Sequence, residues 1–281
     1  MIRKRRTACL LGLFFVAAVF PPKLAWGRLA WGWERAEVVQ RFSRERPQKW
    51  GIDLKDILMR LPVGRKITAL TLDACDGRKS GYDYELIEYL KENEIPATLF
   101  VSGKWIDAHR DTFLELAMNP LFEIENHGAL HKPLSVAGKS AYRIRGTADI
   151  GEVFDEVEGN ARKIENLTGR KPVFFRSGTA HYDDVAVRIV DYLGYKIAGF
   201  SVNGDGGGTL PSAGVGKALL SVREGDIVLM HMNRPGSGTL PGLKQSIPLL
   251  KERGFCFVRL SEMFEAERPG KEPARPQEGP E

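Results

Sequence analysis

Short apolar runs and longer amphipathic stretches alternate along this chain from position 66 onward. Runs of strand length fall at 67–72, 97–101, 122–124, 173–175, 197–202, 227–232 and 256–260. Their near-continuous hydrophobicity marks strands buried on both faces. Between them the period changes. Ile150, Val153, Phe154, Val157, Ala161, Ile164 and Leu167 are spaced by threes and fours, which lines them along one face of a helix. Positions 84–91 and 183–193 repeat the pattern more briefly, and His109 falls inside another predicted helix. About seven strands alternating with helices predict a parallel sheet covered by helices. Over positions 66–264 this is an α/β domain, barrel-like or doubly wound, and strand number alone does not choose.

The two ends break the pattern. Arg3, Lys4, Arg5 and Arg6 precede an apolar run of 13 residues at 8–20, then Pro21, Pro22 and the small-x-small triplet Ala25-Trp26-Gly27. That is the layout of an export signal over 1–27. Such a run rises only about 20 Å as a helix against a hydrocarbon core of about 30 Å; an uncleaved N-terminal anchor is the alternative, and the only membrane contact expected. Residues 28–65 carry Trp31, Trp33, Trp50 and an amphipathic stretch near 54–61, expected to form an arm packed on the main domain. Residues 265–281 are rich in Pro, Glu, Lys and Arg without an apolar period, expected to be a solvated tail.

Charge then narrows the partners. Of 41 Lys and Arg, five lie within 1–27, leaving 36 against 36 Asp and Glu. A neutral remainder argues against nucleic acid as a partner. Beyond the signal only Cys75 and Cys256 remain; export permits a disulfide, and two buried thiols fit equally well.

Function in parallel α/β folds gathers at the carboxyl ends of strands. The segments there are Asp73-Ala74-Cys75-Asp76-Gly77, Asn126-His127 through His131, Arg176-Ser177-Gly178-Thr179-Ala180-His181, Asn203-Gly204-Asp205, and His231-Met232-Asn233-Arg234. Four of the five histidines fall in them. His127 and His131, four apart, could converge on one ion on a helix face or in a loop; with a carboxylate they would form a His₂-carboxylate set with positions open to water and substrate. Asp73 and Asp76 need a partner at the end of an apolar strand, an ion or Arg176, and Asp76 also suits a helix cap. Arg176 orients a carboxylate or forms a structural ion pair. His231 protonates a leaving group, or is a half-buried core histidine. His181 reads as the start of the helix at Asp183-Asp184. The glycine run 204–208 lacks the Gly-Lys-Ser/Thr ending of a phosphate loop and is not one.

Taken in order, these segments resemble the polysaccharide deacetylase family, the NodB-homology domain of carbohydrate esterase family 4. Thr71-Leu72-Asp73 is similar to its T-F-D-D-G motif, and Asn126-His127 through His131-Lys132-Pro133-Leu134 to the metal-histidine motif. Arg176 matches the start of R-P-P-Y-G, and Leu229-Met230-His231 matches L-x-H. The stretch from Ile247-Pro248-Leu249-Leu250 to Val258-Arg259-Leu260-Ser261 is similar to the last helix and strand. The resemblance implies a distorted (β/α) barrel and hydrolysis of N- or O-acetyl groups on a cell-envelope or extracellular glycan. It implies Asp73 as general base for the attacking water, Arg176 holding that base, and His231 as general acid. His127 and His131 would be metal ligands, for zinc first and cobalt or nickel as alternatives.

The chain also departs from that pattern. Ala74 stands where the family has its metal-binding aspartate, so Asp76 is the expected third ligand and Asp73 the alternative. Ser177, Gly178 and Thr179 replace the prolines and tyrosine of the third motif, and Val202-Asn203-Gly204-Asp205-Gly206 replaces D-x-x-D-W. Thr179, Asn203 and Asp205 are the residues expected at the substrate, with Asn203 or Asp205 also available to orient His231. The leading expectation is an exported, metal-dependent glycan deacetylase. The alternatives are a glycan-binding domain weak in catalysis, and a metal-dependent amidohydrolase for a non-sugar amide.

Overall fold

The structure, a computed structural model, describes residues 34–62, 66–75 and 80–265. The expected signal at 1–27, Asp76, and residues 266–281 of the expected tail lie outside the described residues.

One curled sheet organises the chain. Its strands are β1 (Ile57–Leu58), β2 (Ile67–Ala74), β3 (Ala97–Val101), β4 (Phe122–Asn126), β5 (Phe174–Phe175), β6 (Lys196–Ala198), β7 (Val202–Asn203), β8 (Ile227–His231) and β9 (Cys256–Val258). The order is β7-β8-β2-β3-β4-β5-β6-β1, every pair parallel, with β9 beside the first half of β2. Since β6 pairs with β5 and β7 pairs with β8, the segment 196–203 joins opposite sides of the sheet and curls it into a distorted barrel. The barrel alternative is therefore the observed one.

Strand β2 shows why the apolar runs are continuous. All eight of its residues are buried. Leu70, Leu72 and Ala74 enter the cluster beneath the outer helices, whereas Ala69 packs with Phe100, Phe174, Ala198 and Ile227 on the other face. A strand buried on both sides needs apolar residues at both parities.

Two expectations need correction. The run at 197–202 is not one strand but two. The Gly199 amide donates to Leu58 O at 2.9 Å and the Ser201 amide to Ile227 O at 3.0 Å, so the chain changes partners within three residues. A side chain at 199 would overlap Met59 and Ile57; glycine is what lets the strand pass so close to β1. His109 lies not inside a helix but at the junction of Gly103–Ala108 and Arg110–Met118, with φ −133° and ψ 43°. Its Nε2–H donates to Ser80 O at 3.0 Å and its ring rests 4.8 Å from that of Trp105, which holds the break.

The remaining helices follow local chemistry. Asp149 caps Ile150–Thr168 by accepting from the Glu152 amide, and Gly169 ends it at φ 70°. Val153, Phe154, Val157, Ala161 and Ile164 of the expected stripe are buried. Against it packs Arg35–Phe42, which buries Val38 and Phe42; each contributes about 1.5–3 kcal/mol of burial. Trp50–Gly51 then pairs antiparallel with Tyr182–Asp183, and β1 joins the sheet beside β6. No helix among the described residues is long and apolar enough to cross a membrane.

Candidate active site at the carboxyl ends of the strands

Arg176, immediately after β5, is fully buried. Its Nη1 donates to Asp73 Oδ1 at 2.7 Å and to Thr71 Oγ1 at 2.9 Å, while Nε and Nη2 donate to Ala198 O at 3.0 Å and Gly199 O at 2.9 Å. The guanidinium also lies 4.1 Å from the Phe100 ring centroid. Asp73 is 3% exposed. Burial alone would favour its protonated form, but Arg176, His127 and His231 outweigh it and hold the carboxyl below the ordinary range. Asp73 is thus a fixed carboxyl with Oδ1 held by Arg176 and Oδ2 free of it.

His127 follows β4. Its Nδ1–H donates to Arg176 O at 2.9 Å, which fixes the ring so that Nε2 is the nitrogen a neutral imidazole offers as a lone pair. That nitrogen is 3.5 Å from Asp73 Oδ2 and 3.5 Å from Cys75 Sγ. His131 reaches the same place from a loop, its ring 4.9 Å from that of His127. Its backbone sits at φ 61°, in the left-handed region that non-glycine residues seldom adopt. Neighbours hold it there: the Glu156 carboxylate accepts from the Leu130 and Lys132 amides, each at 3.0 Å, and the Gly178 amide donates to Lys132 O at 3.2 Å. A side chain at 178 would overlap the His131 backbone, so only glycine fits.

His131 Nε2 is buried and has no hydrogen-bond partner among the described residues. Cys75, His127 and His131 offer donor atoms that all lie within 4.8 Å of one another. An orphaned ring nitrogen, a second imidazole whose Nε2 is aimed by the Arg176 carbonyl, and a sulfur donor are a set that fits a divalent ion of the zinc type. Burial pushes the Cys75 thiol up, but His131, His127 and His231 bring it well below its ordinary value. Both Cys75 and Cys256 are free thiols.

Across the sheet, β8 places His231 directly opposite Asp73 in register. Its Nδ1–H donates to Asp205 Oδ1 at 2.9 Å, and its amide donates to Asp205 Oδ2 at 2.7 Å. Thr239 Oγ1 and the Gly207 amide also donate to that carboxylate, at 3.0 and 3.1 Å. Burial works against the imidazolium, but Asp205 and Cys75 outweigh it and hold His231 well above its ordinary value. Asp205, expected at the substrate, is instead fully buried behind His231: its four accepted hydrogen bonds make it the residue that positions the imidazole.

These groups meet in a cleft of about 490 Å³ lined by Asp73, Cys75, His131, Thr179, Asn203, Phe200, Leu229 and His231. Thr179 Oγ1 is buried in the wall without a hydrogen-bond partner among the described residues, and Asn203 Oδ1 accepts from the Gly206 amide at 2.8 Å. Asp76 lies outside the described residues. His181 sits ahead of the Asp184–Tyr192 helix, its ring between Trp50 at 5.8 Å and Tyr142 at 5.3 Å.

Cys75 and Tyr142, which both line the cleft, carried no functional reading in the sequence. Cys75 shares a face with Asp73 by strand periodicity, a signal that was available. Tyr142 is presented by the two-residue turn between Ser140–Ala141 and Ile144–Arg145, with φ 51° there and 64° at Arg143. Positive φ at both positions suits the twist of such a ribbon. The residue is 78% exposed at the cleft edge.

Comparison with known proteins agrees with this geometry. The profile of the family described as Polysaccharide deacetylase matches residues 60–198. A bifunctional xylanase/deacetylase from Pseudobutyrivibrio xylanivorans is 27% identical over 201 residues, covering 72% of this chain; the chain spans only 31% of that protein's length. A peptidoglycan-N-acetylglucosamine deacetylase from Bacillus cereus is 25% identical over 209 residues, covering 73% of this chain and 91% of the relative. Among solved structures, a mutant of a Bacillus anthracis CE4 family pseudoenzyme with restored enzymatic activity superposes with TM-score 0.61 at 25% identity, over 73% of this chain and 70% of that one. With the parallel barrel, the ordered strand-end segments and the profile match pointing the same way, the chain belongs to the polysaccharide deacetylase family, hydrolases that act on carbon–nitrogen bonds other than peptide bonds.

Proposed function

We propose that this chain is an exported, metal-dependent hydrolase that removes N-acetyl, or O-acetyl, groups from a cell-envelope or extracellular glycan. The observation that carries the reading is the register of β2 and β8. Asp73, fixed by Arg176, and His231, fixed by Asp205, stand opposite each other on adjacent strands and open into one cleft with His131. The deacetylases among its relatives support the glycan class. Export rests on the signal-like residues 1–27.

An amide is a poor electrophile with a poor leaving group, so both problems need a residue. A divalent ion held by His127 and His131, zinc by their chemistry with cobalt or nickel as alternatives, would supply Lewis acidity at the acyl carbonyl. Asp73, ionised and unable to rotate away from Arg176, takes a proton from the attacking water. His231 enters with Nδ1–H held by Asp205 and gives its Nε2 proton to the departing amine or alkoxide. Each transfer typically contributes about 10²–10⁴-fold. Thr179 and Asn203 line the wall where the sugar sits. No covalent intermediate is required.

A second reading is glycan binding with little catalysis, favoured by Ala74 at the position of the family's second aspartate and by the pseudoenzyme among the structural neighbours. Acetate release from a panel of N- and O-acetylated glycans, with and without chelator, separates them. Release that chelator abolishes and zinc or cobalt restores supports the hydrolase. Silence across the panel with retained glycan binding favours the binder, and turnover of non-sugar amides alone moves the substrate to a small molecule.

A further inference from the structure

We propose that the third protein ligand of this metal site is the Cys75 thiolate, so that the ion sits in a Cys-His-His set while Asp73 stays free as base. This rests on the metal-dependent reading above and deepens it.

The strand period is the first reason. Strand β2 continues through Ala74, whose side chain is buried with Leu70 and Leu72 beneath the helices. A donor at 74 would point into that apolar cluster. Residues two apart share a face, so the next position beside Asp73 is Cys75, and it lines the cleft.

Spacing is the second. A tetrahedral ion with bonds of about 2.05 Å to imidazole and about 2.3 Å to thiolate holds those two donors about 3.6 Å apart. Cys75 Sγ and His127 Nε2 are 3.5 Å apart. The unpartnered His131 Nε2 belongs to the same cluster. Asp73 also approaches His127, but one of its oxygens is engaged by Arg176 at 2.7 Å. Assigning sulfur to the ion leaves the carboxylate for proton transfer, and no residue then has to fill two roles.

A thiolate ligand has a signature that a carboxylate lacks. Purified protein stripped of metal and loaded with cobalt(II) should bind one equivalent and show a near-ultraviolet thiolate-to-cobalt charge-transfer band. Cys256→Ser should keep that band and Cys75→Ser should lose it. Cys75→Asp, which restores a charged donor and guards against a variant that fails to fold, should bind cobalt without the band. Zinc affinity should fall about 100-fold or more in Cys75→Ala, because loss of even an outer-shell partner costs about 10–100-fold. Stoichiometric cobalt binding without the band in the wild type, or a band surviving in Cys75→Ser, would overturn the cysteine assignment alone. No cobalt uptake by the wild type would overturn the metal-dependent reading with it.

Discussion

Replacing Asp205 with asparagine tests how the acid is built. The carboxylate accepts four hydrogen bonds, from His231 N, His231 Nδ1, Thr239 Oγ1 and Gly207 N, at 2.7–3.1 Å. An amide keeps one acceptor oxygen, and its NH₂ group must then face one or more of those donors. If the NH₂ meets Nδ1, the neutral imidazole adopts the opposite tautomer and the imidazolium loses its counter-charge. Burial alone pushes the proton off His231, and Asp205 is the foremost of the groups that reverse this. Catalysis needs His231 protonated, so removing the carboxylate charge lowers its pKa and moves the alkaline limb of the rate profile to lower pH. General acid catalysis is worth about 10²–10⁴-fold, so kcat should fall by about 10²-fold with KM little changed. The mispaired buried donors should also cost about 1–3 kcal/mol of stability, or several degrees in Tm at about 2–4 °C per kcal/mol. The assay is acetate release against pH, with metal content and Tm measured on the same preparations. A variant within threefold of wild type with an unmoved alkaline limb would refute the assignment of Asp205 as the residue positioning the acid.

Other outcomes follow from the same geometry. Arg176→Met leaves Asp73 buried without its counter-ion and should cost about 3–5 kcal/mol in urea unfolding near neutral pH. Because Asp73 is held below its ordinary value, that contribution is present above the unfolded carboxylate pKa and fades as pH falls through the folded one, so wild type and variant should converge in acid. Tyr142→Ala should raise KM for glycan about 3–10-fold with kcat nearly unchanged, from about 0.5–1.5 kcal/mol of ring stacking, read from initial rates on an acetylated oligosaccharide. Glu156→Ala frees the Leu130 and Lys132 amides and the strained His131 between them, and should weaken zinc binding about 10–100-fold in a chelator competition.

What was legible in the sequence was what local periodicity carries. The stripe from Ile150 to Leu167 and the two-sided burial of 67–72 are short-range patterns, and they gave a helix and a central strand. The break at 199 depends on β1 passing close to Gly199, a contact from more than a hundred residues earlier that no period encodes. His109 sat in a helical pattern, but its hydrogen bond to Ser80 and the packing on Trp105 won over propensity. Around the site, His127, His131, Arg176 and His231 stood out as polar residues following apolar runs. Asp205 was noticed, yet its depth was not readable, because burial behind His231 depends on Thr239 and the loop at 206–208 folding over it. Cys75 was read only as a thiol, either disulfide-bonded or buried. Strand parity, which requires β2 to run through Ala74, is what brings it to the donor cluster.

The division of labour between ion and acid is tested most directly by measuring bound zinc and acetate release together in wild type, His127→Ala and His231→Ala. Wild type should hold one ion and turn over, His127→Ala should have lost both, and His231→Ala should keep the ion while losing turnover. Equal loss of zinc in both variants, or a metal-free His127→Ala that still releases acetate at the wild-type rate, would contradict it.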